Sequence, residues 1–277
     1  MIKINKKIYL LFVLILLPFQ NASAQTTKVD LPVPYTSEIP NGTWTGPWKN
    51  ACEEASIIMA EGYYYGYEGT IPKAAAMKNM SPLFKIEDKL YGSNADTDAK
   101  RTAQLINDYS DVSATIKENP TLEDIKNELI ANRPVISFHY AKDLKNPNHR
   151  WRVGGSYYHV MVIVGFDDAT KEFIFNDSGD VATGAKYRYS YDAVMASLHD
   201  FDYTTHHVDG PARVLFTSSK LLYKEKSSPA VYLISHNTKQ PIASAEAFIN
   251  HGWKWNRIHV VDKNTLNKFK TGDLINS

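Results

Sequence analysis

The run Tyr157-Tyr158-His159-Val160-Met161-Val162-Ile163-Val164-Gly165 is aromatic or apolar at nearly every position, with one histidine inside it. Short runs rich in β-branched and aromatic residues predict strands, and this one is read as Tyr157–Phe166. Similar runs surround it at Val135–Tyr140, Glu172–Asn176 and Tyr187–Tyr191, separated by Gly, Asp or Asn. Consecutive strands with short polar connections predict a mostly antiparallel sheet. A short helix at Asp192–Leu198 and a strand at Arg213–Thr217 complete this lobe.

Upstream of Pro134 the period is that of helices. Asn50 is placed to cap a helix whose third residue is Glu53, a reciprocal pairing that satisfies first-turn N–H groups, with Ala55, Ile58, Met59 and Gly62 at core-facing spacing. Asp98–Tyr109 and Leu122–Asn132, the latter behind Thr121 and Asp124, predict two further helices. Before them Pro32, Pro34 and Pro40 hold Leu31–Gly42 extended. A helical lobe preceding a sheet lobe predicts an α+β protein. Beyond about Lys220 the pattern predicts a small α/β module of its own: a strand at Ala230–Ile234, a polar turn at His236-Asn237-Thr238-Lys239, a helix Ala245–His251 capped by Ser244 and stopped by Gly252, and a strand at Ile258–Val261.

The full chain has 277 residues, 43% of them hydrophobic, enough for a substantial core. Thirty-one Lys and Arg against 30 Asp and Glu leave a formal charge of +1, far from the basic footprint of a nucleic-acid binder. Residues 1–24 carry Lys3, Lys6 and Lys7, an apolar run from Ile8 to Phe19, and Ala22-Ser23-Ala24 before Gln25. That is the pattern of a cleaved signal peptide, its apolar run shorter than the roughly 17–25 residues of a membrane span; an uncleaved anchor is the alternative. Cleavage would remove the three lysines, taking the charge to −2, and no later segment is long and apolar enough to span a bilayer. The chain is therefore expected to be secreted, periplasmic or held at a cell surface, with residues 25–219 as one domain and 220–277 as the C-terminal module.

Cys52 is the single cysteine, so it forms no disulfide within the chain. An inert buried thiol, an intermolecular bridge and a nucleophile remain. Its predicted place in the first turn of a helix favours thiolate through unpaired N–H groups and the macrodipole. A thiol nucleophile needs a base, and His159 stands alone in its strand. A base needs an orienting group, and Asp177 follows the next strand, where a hairpin would bring it beside His159. Glu53 and Glu54 oppose a thiolate: each would cost about 2.4 kcal/mol at about 7 Å and a dielectric near 20, against about 4 kcal/mol gained from an imidazolium at about 4 Å. They are therefore expected to point away or be neutralised, Glu53 by bonding back to the Asn50 N–H.

Glu38 through Ser56, with Trp44 and Ala51-Cys52-Glu53-Glu54-Ala55-Ser56, the Tyr158-His159 strand ending Gly165-Phe166-Asp167, and Asn176-Asp177 together resemble the C39-like branch of papain-fold cysteine peptidases. The resemblance spans roughly Leu31 to Ser218. It implies a papain-like α+β fold, nucleophile Cys52, general base and acid His159, and orienting Asp177. The family's oxyanion-binding Gln corresponds to Glu38 here. An ionised Glu38 would repel the oxyanion, so burial must protonate it, Asn41 or Asn50 must substitute, or catalysis is weakened.

Other motifs carry less. Asp177-Ser178-Gly179 spells one aspartic-protease triplet without its second copy, and Lys270-Thr271-Gly272 imitates a β-lactamase box without its companions. Asn41-Gly42-Thr43 is a formal glycosylation sequon and reads more simply as a turn. His139, His149, His206 and His207 form no metal-binding pattern, so no metal and no cofactor is expected. Trp253 and Trp255 are spaced to share one face of a strand, as core or as an aromatic surface for a wall polymer or partner. The expectation is an exported thiol hydrolase acting on a peptide or cell-wall-peptide amide. The alternative is a papain-like surface binding protein, inactive or weak because of Glu38. The sequence leaves the oligomeric state open.

Overall fold

In a computed structural model of the chain, residues 27–147, 157–179 and 182–276 are described. The signal-peptide pattern and His149 lie outside them. Along the chain run β1 (Lys28–Asp30), α1 (Cys52–Tyr64), α2 (Lys73–Tyr91), α3 (Ala99–Tyr109), β2 (Val112–Glu118), α4 (Leu122–Ile130), β3 (Val135–Tyr140), β4 (Tyr158–Asp167), β5 (Glu172–Asn176), β6 (Ala185–Ser190), α5 (Tyr191–Ser197) and β7 (Arg213–Ser219). There follow β8 (Leu222–Glu225), β9 (Val231–Ser235), β10 (Thr238–Pro241), α6 (Ala245–Asn250), β11 (Ile258–Val261), α7 (Lys263–Leu266) and β12 (Lys270–Thr271). The fold class is α+β.

The large sheet is antiparallel throughout, in the order β2-β7-β3-β4-β5-β6, with β1 added against the end of β4. β4 is buried at all ten positions, because α1 packs across it and strands flank it on both sides. Phe138, Phe166, Phe173 and Phe175 fill the core around it, each worth about 1.5–3 kcal/mol of burial. At Gly165 the register against β5 shifts and β1 crosses so closely that a Cβ would run into the Val29 carbonyl and the Asp30 Cα. Glycine is required there by sterics.

α1 departs most from its expected pattern. The spacing predicts one apolar face, yet every residue from Cys52 to Tyr64 except Glu61 is buried. Such a helix lies in the interior, with polar side chains carried in along with apolar ones. Nor is Asn50 its cap: Ala51 holds that position and no side chain caps the first turn. At α4, by contrast, the reciprocal pair of Thr121 and Asp124 forms as expected.

Of the elements that went unpredicted, α2 and β2 are the longest. α2 contains the exposed Pro82, which reads as a breaker, but Ala76, Met80, Leu83, Phe84 and Glu87 bury one face on both sides of it and hold the helix together. β2 is held by antiparallel pairing to β7, a partner about a hundred residues away in sequence.

The second sheet runs β11-β8-β9-β10-β12, with parallel pairing at β8–β11 and β10–β12. The expected polar turn is confined to His236-Asn237, because Thr238–Pro241 continues as β10. Trp253 and Trp255 share no strand face: Trp255 lies in a short 3-10 helix, and both rings pack on Phe248, with centroids 5.7 and 3.9 Å away. This sheet meets the rest of the chain where His236 stacks on Tyr63 at 4.7 Å, Arg257 donates to the Asp108 carbonyl and His259 pairs with Asp111.

Candidate functional site

Alternation along β4 turns His159 and Val160 to opposite faces. The β4–β5 pairing then places Asp177, the first residue past β5, next to His159: Nε2 lies 2.8 Å from Asp177 Oδ1. Asp177 is fully buried and surrounded by donors. The Gly179 N–H reaches Oδ1, while the Tyr189 hydroxyl (2.5 Å) and the Asn146 amide (3.4 Å) reach Oδ2. A Cβ at Gly179 would come 2.9 Å from His159 Cε1, so the backbone there lies against the ring. With Nε2 facing Asp177, Nδ1 faces away, 3.9 Å from Glu38 Oε2. Tyr189 and Asn146 carried no signal in the sequence, since they come from separate, non-adjacent stretches of the chain.

On the other side Cys52 opens α1. Ser56, one turn on, donates to the Cys52 and Val160 carbonyls and so ties the start of the helix to the strand beside His159. The Cys52 sulfur, a His159 ring nitrogen and a Glu38 carboxylate oxygen all lie within 4.8 Å of one another, and all three residues are buried. Residues 38, 52 and 159, named from sequence, meet at one point, with Asp177 behind the imidazole.

Glu38 is fixed by two bonds to one residue. Its N–H donates to the Ser178 carbonyl, and the Ser178 hydroxyl donates to its Oε2. Burial, reinforced by the nearby Asp177 charge, pushes the Glu38 carboxyl up to about 8. At neutral pH it carries a proton and can donate, which answers the electrostatic objection to an acid at this position. All of Asp177-Ser178-Gly179 is thus used, without aspartic-protease chemistry.

The thiol does not behave as its helix position suggests. Burial, followed by Glu53 and Glu38, pushes Cys52 up rather than down. The S–H donates to Glu53 Oε2 at 3.0 Å, while Glu53 Oε1 accepts from the Thr97 N–H at 2.6 Å. Glu53 therefore turns toward the sulfur and away from Asn50, opposite to the expected geometry. Burial also raises Glu53 and Glu54, which favours their neutral forms. Glu54 is hydrogen-bonded to Glu87 on α2, leaving one buried oxygen of each without a partner. Desolvation of the helix start outweighs the macrodipole, because a dipole effect of about 0.3–1 kcal/mol is small beside the cost of an uncompensated buried charge.

His139, opposite His159 on β3, bonds to Ser137 and Ser197 and is driven by burial down to about 3. It is a satisfied, neutral core histidine, while His206 and His207 are exposed. What the site can do is attack with a neutral thiol whose proton passes to Nδ1 as the sulfur adds, the imidazolium then being stabilised by Asp177.

The model of the Peptidase_C39 like family matches residues 30–206. Among solved structures, a Bacillus anthracis protein described as a C39-like peptidase is similar at 13% identity with a TM-score of 0.43, covering 69% of this chain and 98% of that one. The search of curated proteins finds no match.

Proposed function

Because the chain belongs to the Peptidase_C39 like family, and so to a cysteine peptidase kind of papain-like fold, we propose that it cleaves a peptide or cell-wall-peptide amide bond through Cys52, His159 and Asp177. The observation that carries this reading is the meeting of the Cys52 sulfur and His159 beside a fully buried Asp177. His159 Nδ1 takes the thiol proton as sulfur adds to the carbonyl. The protonated Glu38 and the Cys52 backbone N–H hold the developing oxyanion, and His159 returns the proton to the leaving amine. Water, activated by the same imidazole, then hydrolyses the thioester. Export through residues 1–24 would put this activity outside the cytoplasm, with residues 25–219 as the hydrolase and 220–277 as an appended module.

A second reading is favoured by the raised thiol: a papain-like binding protein that keeps the groove without turnover. The test is turnover of a panel of N-acyl peptide anilides by the full chain, with mass spectrometry for an acyl group on Cys52. The hydrolase reading expects turnover and an acyl adduct, both lost in Cys52→Ala and His159→Ala. Turnover surviving Cys52→Ala, or no adduct together with a thiol indifferent to His159, overturns it in favour of the binder.

A further inference from the structure

We propose that Glu38, Cys52 and His159 form a three-ligand zinc site, and that a bound Zn2+ reversibly silences the thiol. Thiolate, imidazole and carboxylate are the donor types zinc prefers. Zinc bonds of about 2.0–2.3 Å in tetrahedral geometry separate neighbouring ligand atoms by about 3.3–3.6 Å. The His159 Nδ1 to Glu38 Oε2 distance is 3.9 Å, and all three donor atoms lie within 4.8 Å of one another. Side-chain adjustments of about 1.5 Å or less would close the set around an ion.

The surrounding bonds suit a metal as well. His159 Nε2 is engaged by Asp177, and Nδ1 lies 3.9 Å from Glu38 Oε2; a carboxylate behind a ligating histidine fixes ring orientation and raises ligand basicity. Ser178 fixes the Glu38 carboxylate from behind. On binding, sulfur coordinates as thiolate and Glu38 as carboxylate, their protons pass to solvent, and the fourth position is left to water. The ion occupies both the sulfur and the imidazole nitrogen that alkylation or acylation requires. Among the described residues this is the one cluster of three or more such donors, and it involves none of His139, His206 and His207.

The inference goes beyond the hydrolase reading and stands without it. The experiment is calorimetric titration of the reduced full chain with zinc chloride, paired with Co2+ absorption as a reporter of thiolate ligation and with iodoacetamide labelling of Cys52. Expected are one zinc per chain, labelling blocked by zinc and restored by a chelator, and binding weakened about tenfold or more in Glu38→Gln and about 100-fold in Cys52→Ala. Cys52→Ser and a thermal scan of each variant control for folding. Zinc bound equally well by Glu38→Gln or Cys52→Ala, or labelling indifferent to zinc, overturns the proposal. A chain that binds zinc in this way but cleaves nothing refutes hydrolysis alone; one that cleaves and ignores zinc refutes the site alone.

Discussion

On one wall of the site stand β4 and β5, which carry His159 and Asp177 on a sheet whose every pairing is antiparallel. On the other stands the start of α1, where Glu53, Glu38 and Asp96 act on Cys52 and Glu54 meets Glu87. Among the described residues of the sheet wall no fully buried side-chain polar atom lacks a partner, and Asp177 alone receives four bonds. In the helix wall two buried carboxylate oxygens have none. The two walls differ in preorganisation: the sheet fixes geometry, and the helix wall buries acids, favouring their neutral forms, at the cost of unmet hydrogen bonds.

Four measurements can break or sharpen this contrast. If the sheet wall supplies the base, His159→Ala lowers kcat/KM by about 10³-fold or more, about 4 kcal/mol of transition-state stabilisation, and Asp177→Ala by roughly 10². A modest, equal effect of both would mean that the pair is structural. Urea unfolding should show Phe175→Ala costing about 3–5 kcal/mol, since the ring is fully buried against Tyr189 and His139. A loss under 1 kcal/mol would deny the sheet its rigidity.

On the helix wall, Glu87→Met alone should destabilise by about 1–2 kcal/mol, because it strands the Glu54 carboxyl. The double variant Glu54→Met, Glu87→Met should recover that loss or exceed wild type, since removing both partners removes the desolvation penalty. Additive losses in thermal or urea melts would show that the pair is a true stabiliser. Smallest is Tyr189→Phe, which deletes one bond to Asp177 and leaves the ring packing intact. About 1 kcal/mol or less of stability and a several-fold fall in kcat at unchanged KM are expected. A KM effect instead would place Tyr189 in substrate binding.

The sheet wall was legible because its information is local. Val135–Tyr140 and Glu172–Asn176 have the same limits in sequence and structure, and the hairpin argument for Asp177 needed only adjacent strands. α2 and β2 were not legible. One carries an exposed proline that tertiary packing overrides, and the other depends on a distant partner strand. Glu53 misled for a similar reason: its bond to the Asn50 N–H is available locally, but Thr97 and the Cys52 thiol compete for it only once the helices pack.

The sequence by itself determined which residue types meet, in what order, and on which strands, since side-chain alternation and turn chemistry are properties of short stretches. Tertiary structure alone decided the protonation of what met. A helix start favours a thiolate only while water or a cation can compensate it, and burying that start reversed the sign for Cys52 while raising Glu38 toward its neutral form. Burial is a sum over the whole fold, and no window of neighbours along the chain contains it.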